Sequence, residues 1–366
     1  MAVLTTRRAV VLGVVVAAPF AAAYTWLVPD PANFEAAGAA LRRPLALGAT
    51  GPARTAELVR FAMLAANGHN TQAWHFSGDD AQITVTPDPT RETPAVDPDR
   101  HHTFVSLGAA AETLVIAATA YGLTASPVFD PASGSIVITL VPGTVASPLL
   151  AAVTRRQSNR SVYDAIALTE SERAALVQTV AGSQGALHLV TDAPTKSALR
   201  DLVIAGNTAQ MDDPAFVAEL RHWLRFSEKA ALASGDGLFA GCSGNPAMPQ
   251  WLGDTIFPLV FRTATETVKY TTQIDSSAAL ALLVSATDTP AFWVETGRAL
   301  ARLTLQATAL GLAHAHVNQA VEVPAQRTAL AALIGITTGR PSILLRLGRA
   351  APMPYALRRP VADVTL

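Results

Sequence analysis

Arg155-Arg156-Gln157-Ser158-Asn159-Arg160 puts three guanidinium groups and a hydroxyl into six consecutive residues. Guanidinium forks give paired, charge-assisted hydrogen bonds, so the matching chemistry is reception of a phosphate-like anion. The plain alternative is a solvated basic turn. Leu357-Arg358-Arg359-Pro360 places two further guanidinium groups outside any apolar period. Only 15% of the chain is charged, against a usual share near 25%, so two arginine clusters about 200 residues apart stand out and suggest convergence on one anion. Asn67-Gly68-His69-Asn70-Thr71-Gln72-Ala73-Trp74 is dense in groups that donate and accept hydrogen bonds. Such a loop suits the edge of a flat heteroaromatic ring, and it also suits an ordinary capped turn.

Other chemistries find less support. The chain has no G-x-S-x-G, no H-E-x-x-H, no Walker A loop and no G-x-G-x-x-G after a strand. His101-His102 and His314-x-His316 lack a carboxylate or cysteine partner at ligand spacing, so no metal site is expected. Cys242 is the single cysteine, which excludes an internal disulfide. A net charge of −1 gives no basis for nucleic-acid binding. Only three of 27 basic residues are lysine, so anions will meet forks rather than point charges.

The elements that must position these residues read as follows. Helical patterns cover 56–66, 107–122, 164–181, 196–211 and 297–312, with Thr169-x-x-Glu172 as a capping box. Strands are expected at 82–86, 135–141, 187–191, 280–286 and 342–347. The helices at 107–122 and 297–312 are apolar on nearly every face and should be buried. Overlaid from Gly108 and Gly297, two 21-residue segments share nine identities, including Gly122-Leu123 against Gly311-Leu312. Each is followed by a strand-like stretch, as in a duplicated α+β unit in which one chain does what a homodimer does elsewhere. Residues 51–148 would form the first half and 149–366 the second, joined near Pro142–Pro148 and preceded by a linker or arm at 29–50. Residues 213–268 look irregular and are a candidate lid, with 234–246 reading as a long loop; the plain alternative is a surface excursion.

Arg7-Arg8 precedes an uncharged stretch from Ala9 to Val28. That resembles a twin-arginine export signal and is also long enough to be a membrane anchor. Either one puts the body outside the cytoplasm; a buried first helix would leave it inside.

Taken together, these segments resemble the nitroreductase-like FMN-dependent oxidoreductases. Arg156-x-Ser158-x-Arg160 matches the family's R-x-S-x-[RK] segment, and Asn67-x-x-Asn70-x-Gln72-Ala73-Trp74 partly matches its S-x-x-N-x-Q-P-W loop. Gly311-Leu312 through Asn318-Gln319 matches the core helix end and flavin-touching stretch, and Arg358-Arg359-Pro360 the closing basic pair. Loop and arginine segment come in reversed order here, as they would in a fused pseudo-dimer of the double-length, Acg-like branch. Ala73 replaces the family's proline and Asn67 its serine.

The resemblance implies a nitroreductase-like α+β fold and one non-covalent FMN. It implies Arg156, Ser158, Arg160, Arg358 and Arg359 around the phosphate and Asn67, Gly68, His69, Asn70, Gln72, Asn318 and Gln319 around the ring. No catalytic side chain is implied, because the chemistry is flavin-borne. The activity implied is ping-pong electron transfer from a small-molecule donor to a small aromatic or quinone-like acceptor, in a monomer that touches membrane only through its N-terminal segment. A flavin store without turnover and a cofactor-free envelope protein are the alternatives.

Overall fold

A computed structural model describes residues 31–143 and 145–366. The export or anchor segment expected at 1–28 lies outside the described residues.

The chain opens with helix α1 (Pro31–Leu41) and helix α2 (Gly51–Ala62). Strands β1 (Trp74–Gly78) and β2 (Gln82–Pro87) follow, then the long helix α3 (His101–Ala118) and strands β3 (Leu123–Asp130) and β4 (Ser135–Pro142). These four strands form an antiparallel sheet in the order β1-β2-β4-β3. Helix α3 starts six residues before the expected 107, because the Asp97 carboxylate accepts from the His102 and Thr103 amides.

A short helix α4 (Leu150–Val153) leads to α5 (Glu170–Gln178), β5 (Gly185–Val190) and α6 (Ala193–Met211). The expected capping box is present, and α5 begins at it rather than at 164, since Ala165 stands at φ +58°. Residues 213–268, expected to be irregular, are largely helical. They hold α7 (Pro214–Trp223), β6 (Leu224–Arg225), α8 (Glu228–Ser234), β7 (Leu238–Phe239), α9 (Gln250–Val260) and the start of α10 (Thr263–Asp275). Then come β8 (Ala279–Ser285), the long helix α11 (Pro290–Ala309), β9 (Ala313–His316), α12 (Gln319–Glu322), α13 (Pro324–Ile334) and β10 (Arg340–Gly348). The second sheet is antiparallel in the order β5-β8-β10-β9. When only each sheet's own four strands are counted in chain order, the two sheets share one pattern: first, second, fourth, third.

Helices α3 and α11 cross between the sheets at two glycines. A Cβ on Gly108 would stand 2.0 Å from the Val294 carbonyl oxygen, and a Cβ on Gly297 would stand 2.0 Å from that of Val105. The contact is reciprocal: each glycine meets the carbonyl three residues upstream of the other. Gly122 (φ +68°) and Gly311 (φ +75°) end the corresponding stretches in the left-handed region. Both helices and inner strands of both sheets feed one apolar core, including Leu107, Leu114, Leu303 and Leu345. Among the described residues one helix, His101–Tyr121, is long and apolar enough to cross a membrane, and it is packed inside this core.

Two terminal segments cross between units. The carboxyl end returns to the first sheet, where Thr365 bridges Phe76 and the Leu366 amide donates to the Phe76 carbonyl. The stretch expected to be a linker carries α1, whose Phe34 packs against Phe239, with ring centroids 4.7 Å apart, and sits with Cys242 and Leu357.

Candidate functional site

Residues 156–160 run beside β9. Ser158 bridges His314, and the Asn159 amide donates to the His314 carbonyl at 2.8 Å. Gln157 and Asn159 fasten the tail: Gln157 exchanges bonds with both backbone groups of Met353, and Asn159 donates to the Ala351 carbonyl at 2.7 Å. Arg156, Gln157, Ser158 and Arg160 line a cavity of about 530 Å³. Arg155, the third guanidinium of the run, is exposed and donates to the Ala151 carbonyl.

That volume is in the usual range for small-molecule and cofactor sites, about 300–1,000 Å³. The first unit contributes Asn67 to Asn70, His102 and Ser106; the second contributes the arginine face, His316, Asn318 and Gln319. Apolar cover comes from the 213–268 segment, with Phe226, Phe239 and Phe257. Arg358 also reaches the wall.

The arginines keep unused donors there. Arg156 is buried; its Nη2 donates to the Leu64 carbonyl at 2.7 Å, while Nη1 has no partner. Burial first, and repulsion from Arg42 second, lower its pKa to about 10. Neither Arg156 nor Arg160 has a carboxylate within ion-pair distance among the described residues. Arg358 is spent differently, donating to the carbonyls of Met63 and Ala65 at the end of α2. Burial pushes its pKa down, and Arg42 and Arg156 add to the shift.

The 67–74 loop is strained and stapled. His69, Asn70 and Gln72 all have positive φ, at 46°, 55° and 54°, which is uncommon for non-glycine residues. Neighbouring backbone holds them there. Asn70 Nδ2 donates to the carbonyls of Gly237 at 3.0 Å and Leu357 at 3.2 Å, and the Gln72 amide hydrogen goes to Asn67 Oδ1 at 3.0 Å. Asn70 Oδ1 is buried without a partner, as is Gln319 Oε1, while Gln319 Nε2 donates to the Tyr270 hydroxyl.

Two residues expected at the cofactor do not line the cavity. Gln72 is fully buried, donates to the Gly235 carbonyl at 2.9 Å and accepts from the Arg359 amide at 3.0 Å. Arg359 donates to the Asp363 carbonyl and lies 3.8 Å from an Asp88 carboxylate oxygen. Both fasten the loop to the tail, because their polar groups already have partners. The 234–246 stretch is likewise tied down: Asp236 pairs with Arg91 and Arg225, and Gly237 exchanges bonds with Asn70.

Arg42, Gln210, Tyr270 and Glu322 also stand on the wall, and no motif in the sequence flags them. His102, considered in the sequence only as half of a metal pair, stands there too. Glu322 Oε1 lies 3.4 Å from His102 Nε2, and Oε2 accepts from Gln210 at 2.6 Å. Burial raises the Glu322 pKa, so its carboxyl holds a proton more readily than usual. Burial and Arg160 lower His69 to about 4 and His316 to about 3, so both rings are neutral at pH 7. No group of three or more His, Cys, Asp or Glu suited to a metal occurs among the described residues.

The fold and site define a mixed α+β protein with a cofactor-sized cavity lined by residues from both the 67–106 stretch and the 156–358 stretch. No protein-family model matches the chain. Two Mycobacterium tuberculosis proteins, from strains CDC 1551 and H37Rv, carry the name NAD(P)H nitroreductase. Each is 25% identical over 328 residues, covering 84% of this chain and 91% of its own length. The chain is nitroreductase-like in sequence over that span. Among solved structures, an FMN-bound nitroreductase from Bacteroides fragilis aligns at 15% identity over 56% of this chain and 90% of its own, with a TM-score of 0.35. A nitroreductase-like protein from Bacillus cereus aligns at 12% over 60% and 95%, with a TM-score of 0.36.

Proposed function

We propose that the chain is an FMN-dependent oxidoreductase of nitroreductase type, with one flavin in the cavity between its two units. The observation that carries this is a set of buried polar atoms without partners on residues that line the cavity. Arg156 Nη1, Asn70 Oδ1 and Gln319 Oε1 are buried with no partner, and all three residues line the cavity. Buried polar groups left unpaired are costly, so a set of them on residues lining one cavity fits a bound polar ligand. The cationic member, Arg156, suits a phosphate monoester and the two amides suit the polar edge of a heteroaromatic ring.

In this reading Arg156, Ser158 and Arg160 hold the phosphate. Asn70 and Gln319 orient the ring by their free amide oxygens. Phe226, Phe239 and Phe257 exclude water from one side. The Glu322 carboxyl, whose pKa burial raises, can hold a proton at the wall near a bound acceptor. The flavin supplies two-electron redox chemistry, taking electrons from a donor and passing them to an acceptor. Similarity to proteins named NAD(P)H nitroreductases supports a nicotinamide donor. Small aromatic or quinone-like acceptors fit the partly apolar cavity, and donor and acceptor would use it in turn. The shared strand order and the reciprocal glycine crossing support a fused pseudo-dimer that acts as a monomer. The arginine segment occurs once, in the second unit, which supports one flavin rather than two. Export or membrane anchoring by the first 28 residues remains part of this proposal.

The test is reconstitution with FMN followed by anaerobic mixing with NADH, NADPH or dithionite. Bleaching by a nicotinamide and re-oxidation by a quinone support the enzyme. A flavin reduced by dithionite alone would favour the storage reading, in which the roof closes the cavity to donors.

A further inference from the structure

The anion end of the cavity contains a guanidinium that belongs to neither family-like motif. Arg42 follows α1 in the N-terminal arm, is 9% exposed and lines the same cavity as Arg156 and Arg358. Its guanidinium lies over the Tyr355 ring, 4.2 Å from the centroid. Its backbone contacts are weak: Nη1 reaches the Gly38 carbonyl and Nη2 that of Ala356, both at 3.4 Å, while Nε is buried with no partner. No carboxylate lies within ion-pair distance of Arg42, Arg156 or Arg358 among the described residues. Three buried, like-charged groups around one cavity, with no counter-ion from the protein, leave the counter-charge to a ligand.

Packing explains how the arm delivers this residue. Phe34 on α1 is buried against Phe239, Cys242 and Leu357, which belong to the segments that roof the cavity and carry Arg358. The ring of Tyr355 fixes the plane of the guanidinium.

We infer that Arg42 is a further phosphate-binding residue and that the N-terminal arm clasps the anion end of the cofactor site. This rests on the flavin reading for the ligand's identity, but not for its charge. Binding of FMN, riboflavin and inorganic phosphate is to be compared in the cofactor-free wild-type chain and in Arg42→Ala, Arg42→Lys and Phe34→Ala. Flavin affinity is read by fluorescence quenching, phosphate by the rise in melting temperature. Arg42→Ala should weaken FMN about tenfold or more, leave riboflavin unchanged and shrink the phosphate-induced rise. Arg42→Lys, which keeps the charge and loses the fork, should fall between. Phe34→Ala, which loosens the arm away from the cavity wall, should show a smaller loss of the same kind. A wild-type chain that ignores FMN yet is stabilised by phosphate through Arg42 removes the flavin reading and keeps the arm in an anion site. FMN preference and phosphate response that survive both Arg42 variants overturn the inference.

Discussion

Replacing Arg156 by alanine removes a buried guanidinium that lines the cavity and has one donor without a protein partner. FMN binding should weaken by about 1.5–3 kcal/mol, the worth of a charge-assisted hydrogen bond; a flavin titration with unchanged affinity would take Arg156 out of the site. The neutral imidazoles give a second expectation. His69 and His316 have folded pKa values near 4 and 3, below the ordinary 6.5. As pH falls below about 6.5 the unfolded chain takes up protons that the folded chain refuses, so stability must drop from there down toward pH 4. Melting temperatures of the cofactor-free chain across that window check the sign. Bound phosphate would offset the repulsion from Arg160, so the drop should be shallower with FMN present. At this scale the sequence was partly legible. Residue type alone marks the 155–160 run as a candidate anion receptor, but it does not say which of its side chains reach the cavity. It cannot tell a ligand-binding polar group from a stapling one, so Gln72 and Arg359 look like the rest of the set although their polar groups are used inside the protein. Arg42 sits in an arm with no periodicity, and nothing nearby in sequence marks its neighbours.

Among the elements, the crossing of α3 and α11 is the most exacting contact. Gly297→Ala would drive a Cβ to 2.0 Å from the Val105 carbonyl oxygen, and two packed helix backbones cannot yield that far. Either Gly108→Ala or Gly297→Ala should cost at least about 2 kcal/mol by urea unfolding; a neutral variant would mean the helices are not this close. Gly311→Ala is a milder case, since open space surrounds the position and only its φ of +75° resists, so about 1 kcal/mol is expected. The long helices and most strands could be read from apolar pattern, although their ends moved to the capping residues. The helices within 213–268 were hidden by the glycines and prolines of 234–249, whose turn signals colour the whole stretch. The short β6–β7 pairing there has too few residues to show a period.

For the whole molecule, overlaying two helices on Gly108 and Gly297 suggested a duplication. The shared strand order and the reciprocal glycine contact support the proposed duplication. What sequence could not supply is the crossing of the termini, where the arm meets the roof and the tail joins β1; those contacts join segments hundreds of residues apart and leave no local pattern. Light scattering should find a 38.2 kDa monomer; a stable dimer would weaken the idea that one chain supplies both sides of the site. The most direct measurement is the visible spectrum and flavin stoichiometry of the full chain after reconstitution with FMN. One tightly held FMN per chain, bound more strongly than riboflavin, is the expected result. A colourless protein that takes up no FMN, or one that takes up two, would contradict it.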